Sequence, residues 1–170
     1  LAPFMETNYQ AFQCPDFGES QMDQVRFGRP ASGYGFNAYY LSRPSGIDWP
    51  PPSFIPSPHS DPATRRFADV RQTSQTVAFA DSAQVRMATF FPPTFSFEEN
   101  WILDPPSRNF PTVHFRHNNA ANVAFLDGHV EVRQLHFKVD VPGSNWLSAA
   151  QADLMEENHL GFISDGHLDD

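Results

Sequence analysis

The sequence predicts an α+β fold dominated by an antiparallel β-sheet, with few helices and long proline-rich loops. Three observations carry this reading. The chain is 40% hydrophobic and 14% aromatic, led by 17 Phe, and 16 prolines interrupt it; that composition favours strands and loops over helices. An Asp127-Gly128 dipeptide sits between two alternating apolar runs, as in a β-hairpin. Finally, residues 148–157 alone read as a well-formed helix. At 170 residues the chain suits one compact domain, taken as 1–170.

Taken in order, residues 1–12 mix apolar and polar positions loosely, and Cys14-Pro15-Asp16-Phe17-Gly18 breaks regular structure. The chain opens at Leu1 without a methionine, and an upstream segment is expected. Residues 32–41 alternate aromatic and small side chains, which predicts a half-buried strand with Gly33 and Gly35 allowing close backbone approach. Residues 43–62 are rich in Pro and Ser and read as a long surface loop of extended polyproline character, anchored by Trp49, Phe54 and Ile55. Such a loop carries O-linked glycans, binds a partner, or is simply a packed insertion.

Thr64 caps a predicted short helix through Gln72, and residues 76–81 read as a buried strand ending on the Asp81 carboxylate. Residues 90–111 form a second irregular, proline-broken aromatic stretch. Ser148 then caps the predicted helix, and Gly161 supplies its stop.

The Asp127-Gly128 dipeptide suits a two-residue type I′ turn, in which both central residues take positive φ. That loop length pairs Leu126 with His129 and Val123 with Val132. It makes Val123, Phe125, Val130 and Val132 one apolar face, opposite Asn122, Ala124, Glu131 and Arg133. Residues 112–117 alternate likewise, with Val113 and Phe115 matching the core face, so a three-stranded meander is predicted.

His117, nine intervening residues and then Asp127-Gly128 resemble the H-x9-DG signature of the prepilin-type, pseudopilin-like surface proteins of planctomycete-type bacteria. Phe12-Gln13-Cys14-Pro15, the aromatic strand with Asn37, and Val77 to Ser82 are similar to other parts of that family. The resemblance spans residues 12–134, with the proline loop as an insertion. It implies a pilin-like head, export to the cell surface, and a non-catalytic role in a pilus-like or secretion-related assembly. Family members carry a cleaved leader and a long apolar helix ahead of the head, and this sequence lacks both, so membrane contact is expected only through such a helix. His117, Asp127, Gly128 and His129 are expected to serve architecture.

Charge narrows the partners. The formal net charge is −9, from 20 acidic and 11 basic residues. Nucleic acid and anionic membrane surfaces are disfavoured. Metal cations or an arginine-bearing partner suit the charge, as does plain solubility. Cys14 is the only cysteine, so no intrachain disulfide forms, and its setting reads as a buried inert thiol. No apolar run reaches the ~18 residues of a membrane span, and no Asn-x-Ser/Thr acceptor occurs.

Chemical readings of the motif are weaker. His117, Asp127 and His129 offer imidazole and carboxylate groups, but one strand length, roughly 15 Å at ~3.3 Å per residue, separates His117 from Asp127 unless a wide Asn118-Asn119 loop folds back. Asp81 and Asp127 together are a candidate structural Ca²⁺ pair; no cofactor is required. Hydrolase motifs are absent, with no G-x-S-x-G, G-x-x-x-x-G-K-[ST] or H-E-x-x-H. Residues 160–170 partly repeat the look of 125–130, so Phe162, Ile163 and Leu168 read as a tail that adds a strand to a neighbouring subunit.

The expected function is therefore a structural subunit of an extracellular filament, assembling with copies of itself through the 43–62 loop and the tail. One alternative is a monomeric surface module that binds metal or stacks glycans on Trp49, Tyr39, Tyr40 or Trp101. A second is a hydrolase whose carboxylates and histidines converge only in three dimensions.

Overall fold

A computed structural model describes residues 13–25, 33–42, 65–106, 109–136, 138 and 147–163, with the backbone of 47–48 and 57–58. It is a mixed α+β structure of mostly antiparallel strands. The central sheet has four strands in the order β1 (Tyr34–Phe36), β4 (Val77–Asp81), β8 (Ala120–Phe125) and β9 (Val130–Gln134). Every neighbouring pair in it is antiparallel. A separate hairpin joins β5 (Gln84–Phe90) to β6 (Pro93–Glu98). Two short pairs complete the pattern: β2 (Ile47–Asp48) with β3 (Ser57–Pro58), and β7 (Val113–His114) with β10 (Leu160–Gly161).

The first strand is shorter than predicted. After Phe36 the chain turns into a one-turn helix, α1 (Ala38–Leu41), because the Asn37 side chain accepts a hydrogen bond from Tyr40 N at 3.3 Å and caps it. The same Asn37 donates through Nδ2 to Val77 O at 3.0 Å, pinning the cap to β4. The helix expected to run to Gln72 is replaced by a single 3₁₀ turn at Phe67–Asp69; its expected cap, Thr64, lies outside the described residues. The 43–62 loop lies mostly outside them too, although Ile47–Asp48 and Ser57–Pro58 do pair as strands. The stretch expected to be irregular from residue 90 contains β6, which pairs along β5.

The helix at 148–157 is present as α2 (Ala149–Glu157), with Ser148 Oγ accepting from Gln151 N at 3.2 Å. It ends at Asn158 and His159, the latter at φ 52°, rather than at Gly161, which is paired in β10.

The hairpin at Asp127-Gly128 is real, but its register is one residue off the prediction. Phe125, not Leu126, is bonded across to His129, and Gly128 N reaches Phe125 O at 3.0 Å. Three residues therefore form the loop, and of these only Gly128 has positive φ, at 97°. Leu126 is withdrawn from the ladder because its N–H bonds to Thr76 O and its side chain packs on the cluster of Leu41, Val70 and Ala78. The type I′ geometry occurs upstream: Asn118 and Asn119 take φ 56° and 61°, and His117 and Ala120 exchange both backbone hydrogen bonds across them.

This slip reverses the faces of β9. Val123 now faces Glu131, while Ala124 pairs with Val130 and Asn122 with Val132. Val123 and Phe125 stay in the core with Val113 and Phe115, as predicted. Phe125 is instead covered by the His129 ring, stacked at 4.4 Å, and by Arg133 at 5.5 Å. Val130 and Val132 point away, 64% and 65% exposed. The three-stranded meander does not form, because β4 occupies the edge of β8 that β7 would need; β7 pairs with β10.

A second core joins Cys14, Phe17, Val85, Phe97, Met155 and Leu160. It fastens the N-terminal segment and α2 to the β5–β6 hairpin, and each such buried side chain contributes about 1.5–3 kcal/mol. Among the described residues, no helix is long and apolar enough to cross a membrane.

Candidate functional site

One end of the sheet gathers a cluster of buried and half-buried ionisable side chains. Asp81 is the last residue of β4 and is 0% exposed. Its Oδ1 takes a hydrogen bond from Arg116 at 2.5 Å, and its Oδ2 accepts from Asn122 N at 2.6 Å. Arg116 is itself buried: it also donates to Gly33 O and, at 3.0 Å, meets His114 Nδ1. A buried carboxylate and guanidinium in such contact neutralise each other, and loss of either would strand a charge.

His117 opens the Asn118-Asn119 turn and projects onto this pair. Its Nε2 lies 3.3 Å from Asp81 Oδ2 and 3.6 Å from Cys14 Sγ, while Nδ1 lies 3.1 Å from Asp16 Oδ2. Cys14, 2% exposed, begins a tight turn over residues 14–17, with Phe17 N bonded to Cys14 O at 3.1 Å. Pro15 suits the second position of such a turn. The turn is held down by Phe17, which is fully buried edge-on to Phe97 and His114 and beneath the Arg116 guanidinium.

Local electrostatics follow from this burial. Removal from water, reinforced by the Arg116 charge, pushes His114 down to about 3, so this imidazole is neutral. Tyr34, across the ladder from Asp81, has its phenol raised, first by burial and then by Cys14 and Asp81, and it shares a hydrogen bond with the Cys14 thiol. Cys14, Asp81 and His117 each offer one ligand atom, and all three atoms lie within 4.8 Å of one another.

The residues singled out from sequence divide between the two ends of β8. His117 belongs to the cluster. Asp127, Gly128 and His129 sit at the far end, where Asp127 Oδ1 accepts from His129 N at 3.2 Å and contacts His129 Nδ1 at 2.6 Å. These contacts, the backbone one first, hold the Asp127 carboxyl below its usual range. Asp81 adjoins Asn122, so Asp127 is roughly 15 Å away along the strand and the two carboxylates do not share an ion. The expected Asp81–Asp127 Ca²⁺ pair is thus corrected.

The tail reading is also corrected for its described part. Phe162 is fully buried and accepts at its carbonyl from His136 N, and Ile163 packs on the sheet's own core. Both are used within this chain. Leu168, Trp49, Phe54 and Ile55 lie outside the described residues.

Cys14 is the site residue that sequence reasoning passed over as an inert thiol. Its signal was present: Cys14-Pro15, the aromatic strand and the strand ending at Asp81 were three separate fragments of the family resemblance. Each contributes a side chain, Cys14, Tyr34 and Asp81, to the surroundings of His117. Compared with known proteins, the chain matches no family model, no curated protein and no solved structure.

Proposed function

We propose that this chain is a non-catalytic structural module of the cell surface that assembles with copies of itself, in the manner of a pilin-like head. The observation that carries the reading is the reversed edge strand. The residues Phe36, Phe79, Ala124 and Val130 are paired in a row across all four strands, on the side opposite Val123. Phe79 is 41% exposed, and Val130 and Val132 more so. A continuous apolar strip of this kind marks an interaction surface. It ends on β9, whose outer edge pairs with no other strand among the described residues. An unpaired edge beside an apolar face accepts another strand or sheet.

A second copy is the favoured occupant because the resemblance implies a homopolymer. The strip includes none of Cys14, Asp81 and His117, so the charged cluster is free to hold the fold. Cys14 and Asp81 are too deeply buried to present a nucleophile or base to a polymer substrate, which supports the non-catalytic reading.

The test is light scattering and negative-stain microscopy of the full chain, alongside a Val130→Lys/Val132→Lys variant. The wild type should gain mass with concentration, and the variant should stay monomeric with an unchanged circular dichroism spectrum. A wild type that is monomeric at all concentrations, or a variant that assembles equally well, would refute the proposal.

A further inference from the structure

The geometry points to a transition-metal site, of the Zn²⁺ class, built by Cys14 Sγ, Asp81 Oδ2 and His117 Nε2. This inference does not rest on self-association. The spacing of the ligand atoms carries it first. A Zn–S bond of about 2.3 Å and a Zn–N bond of about 2.05 Å at a tetrahedral angle place S and N about 3.6 Å apart, and Zn–N with Zn–O place N and O about 3.3 Å apart. The corresponding separations here are 3.6 Å for Cys14 to His117 and 3.3 Å for His117 to Asp81, while the third pair, Cys14 to Asp81, lies within 4.8 Å and closes by up to about 1.2 Å on binding.

The surrounding groups are those a bound ion requires. His117 directs its other ring nitrogen, Nδ1, at the Asp16 carboxylate, 3.1 Å away. Metal-binding histidines are held in this way, which fixes the tautomer with the Nε2 lone pair facing the ion. With Nδ1–H given to Asp16, that lone pair faces the Asp81 oxygen, and two acceptors in contact need a proton or a cation between them. Arg116 bonds Oδ1 of Asp81 and the Asn122 N–H bonds Oδ2, which leaves one lone pair of Oδ2 on the His117 side to bind.

Binding a divalent ion would displace the Cys14 proton to solvent, as ligation by a thiolate requires. Thiolate and imidazole select zinc-like ions over Ca²⁺, which prefers an all-oxygen shell. The bond would tie the turn over residues 14–17 to the ends of β4 and β8.

Cobalt(II) is the probe, added to the reduced full-length chain and followed by absorbance. Because Cys14 is the only cysteine, any thiolate-to-cobalt charge-transfer band at one ion per chain reports Cys14 itself. The proposal expects that band together with tetrahedral visible bands. Zn²⁺ should displace the cobalt, and Ca²⁺ should not. Cys14→Ser should abolish the band, and Asp16→Asn should keep it while weakening affinity about 10–100-fold. Absence of the band on natively folded wild-type chain, or an unchanged affinity in His117→Gln, would overturn the assignment and leave a protonated His117 bridging Asp16 and Asp81. If Cys14→Ser does not fold, the wild-type titration alone decides.

Discussion

His114 should make the fold acid-sensitive in a calculable way. Its imidazole is buried between the Phe17 and Phe97 rings, with Arg116 on Nδ1, and burial and that charge lower it from 6.5 to about 3. Between those two values the unfolded chain binds a proton at this position that the native chain refuses. Native stability is therefore complete above the unfolded value and is lost as pH falls toward about 3. The slope approaches about 1.4 kcal/mol per pH unit, or about 2.3 kcal/mol in all between pH 6.5 and 4.5.

Urea unfolding of wild type and His114→Asn, at about pH 7 and about pH 4.5, isolates this term, because the remaining titrations are common to both chains. Asparagine places an acceptor near the Nδ1 position, so the Arg116 bond is kept. A chelator should be present throughout, to suppress any metal linkage. The stability difference between the two proteins should move by about 2–3 kcal/mol in the variant's favour on acidification. A difference that stays constant with pH would refute the buried neutral imidazole.

Two glycines give sharper local tests. Gly128→Ala should cost roughly 1–2 kcal/mol in urea unfolding, through φ alone, since an added Cβ would meet nothing within 4 Å; no loss would mean the loop is not left-handed there. Gly35→Ala places a Cβ 2.8 Å from Leu103 Cδ2 and from Ser82 Cβ and Oγ, so overpacking should cost roughly 1–3 kcal/mol, read as a lowered melting temperature.

The parts of the fold legible in the sequence were those decided locally. Ser148 and the run after it specify α2, and the alternation of Val113, Phe115, Val123 and Phe125 correctly assigned them to one core. The hairpin was legible as a turn but not as a register. A one-residue slip depends on where Leu126 goes, and a distant cluster around Val70, with Thr76, takes it. Residues 118–121 do supply the expected turn, drawn tight as a type I′ turn at Asn118-Asn119 rather than opened into a wide loop. The site was half legible. Asp81 was marked as a buried strand-end carboxylate and His117 by its motif, but nothing in the spacing of residues 14, 81 and 117 says that β4 and β8 are neighbours. Cys14 reaches them because Phe17, three residues on, needs a core to fill.

The turn over residues 14–17 also has a mechanical consequence. Tension arriving from the chain ahead of residue 13 meets the Cys14–Phe17 turn before it reaches the backbone ties at Asp23 and Gln24 on β6. The first resistance is therefore a side-chain latch, with Phe17 as a plug and His117 as a clasp on Asp16. The load passes through Asp81 and Arg116 into the ends of β4 and β8. Pulling experiments would thus meet their earliest yield point at the latch, with the four-stranded sheet still intact behind it.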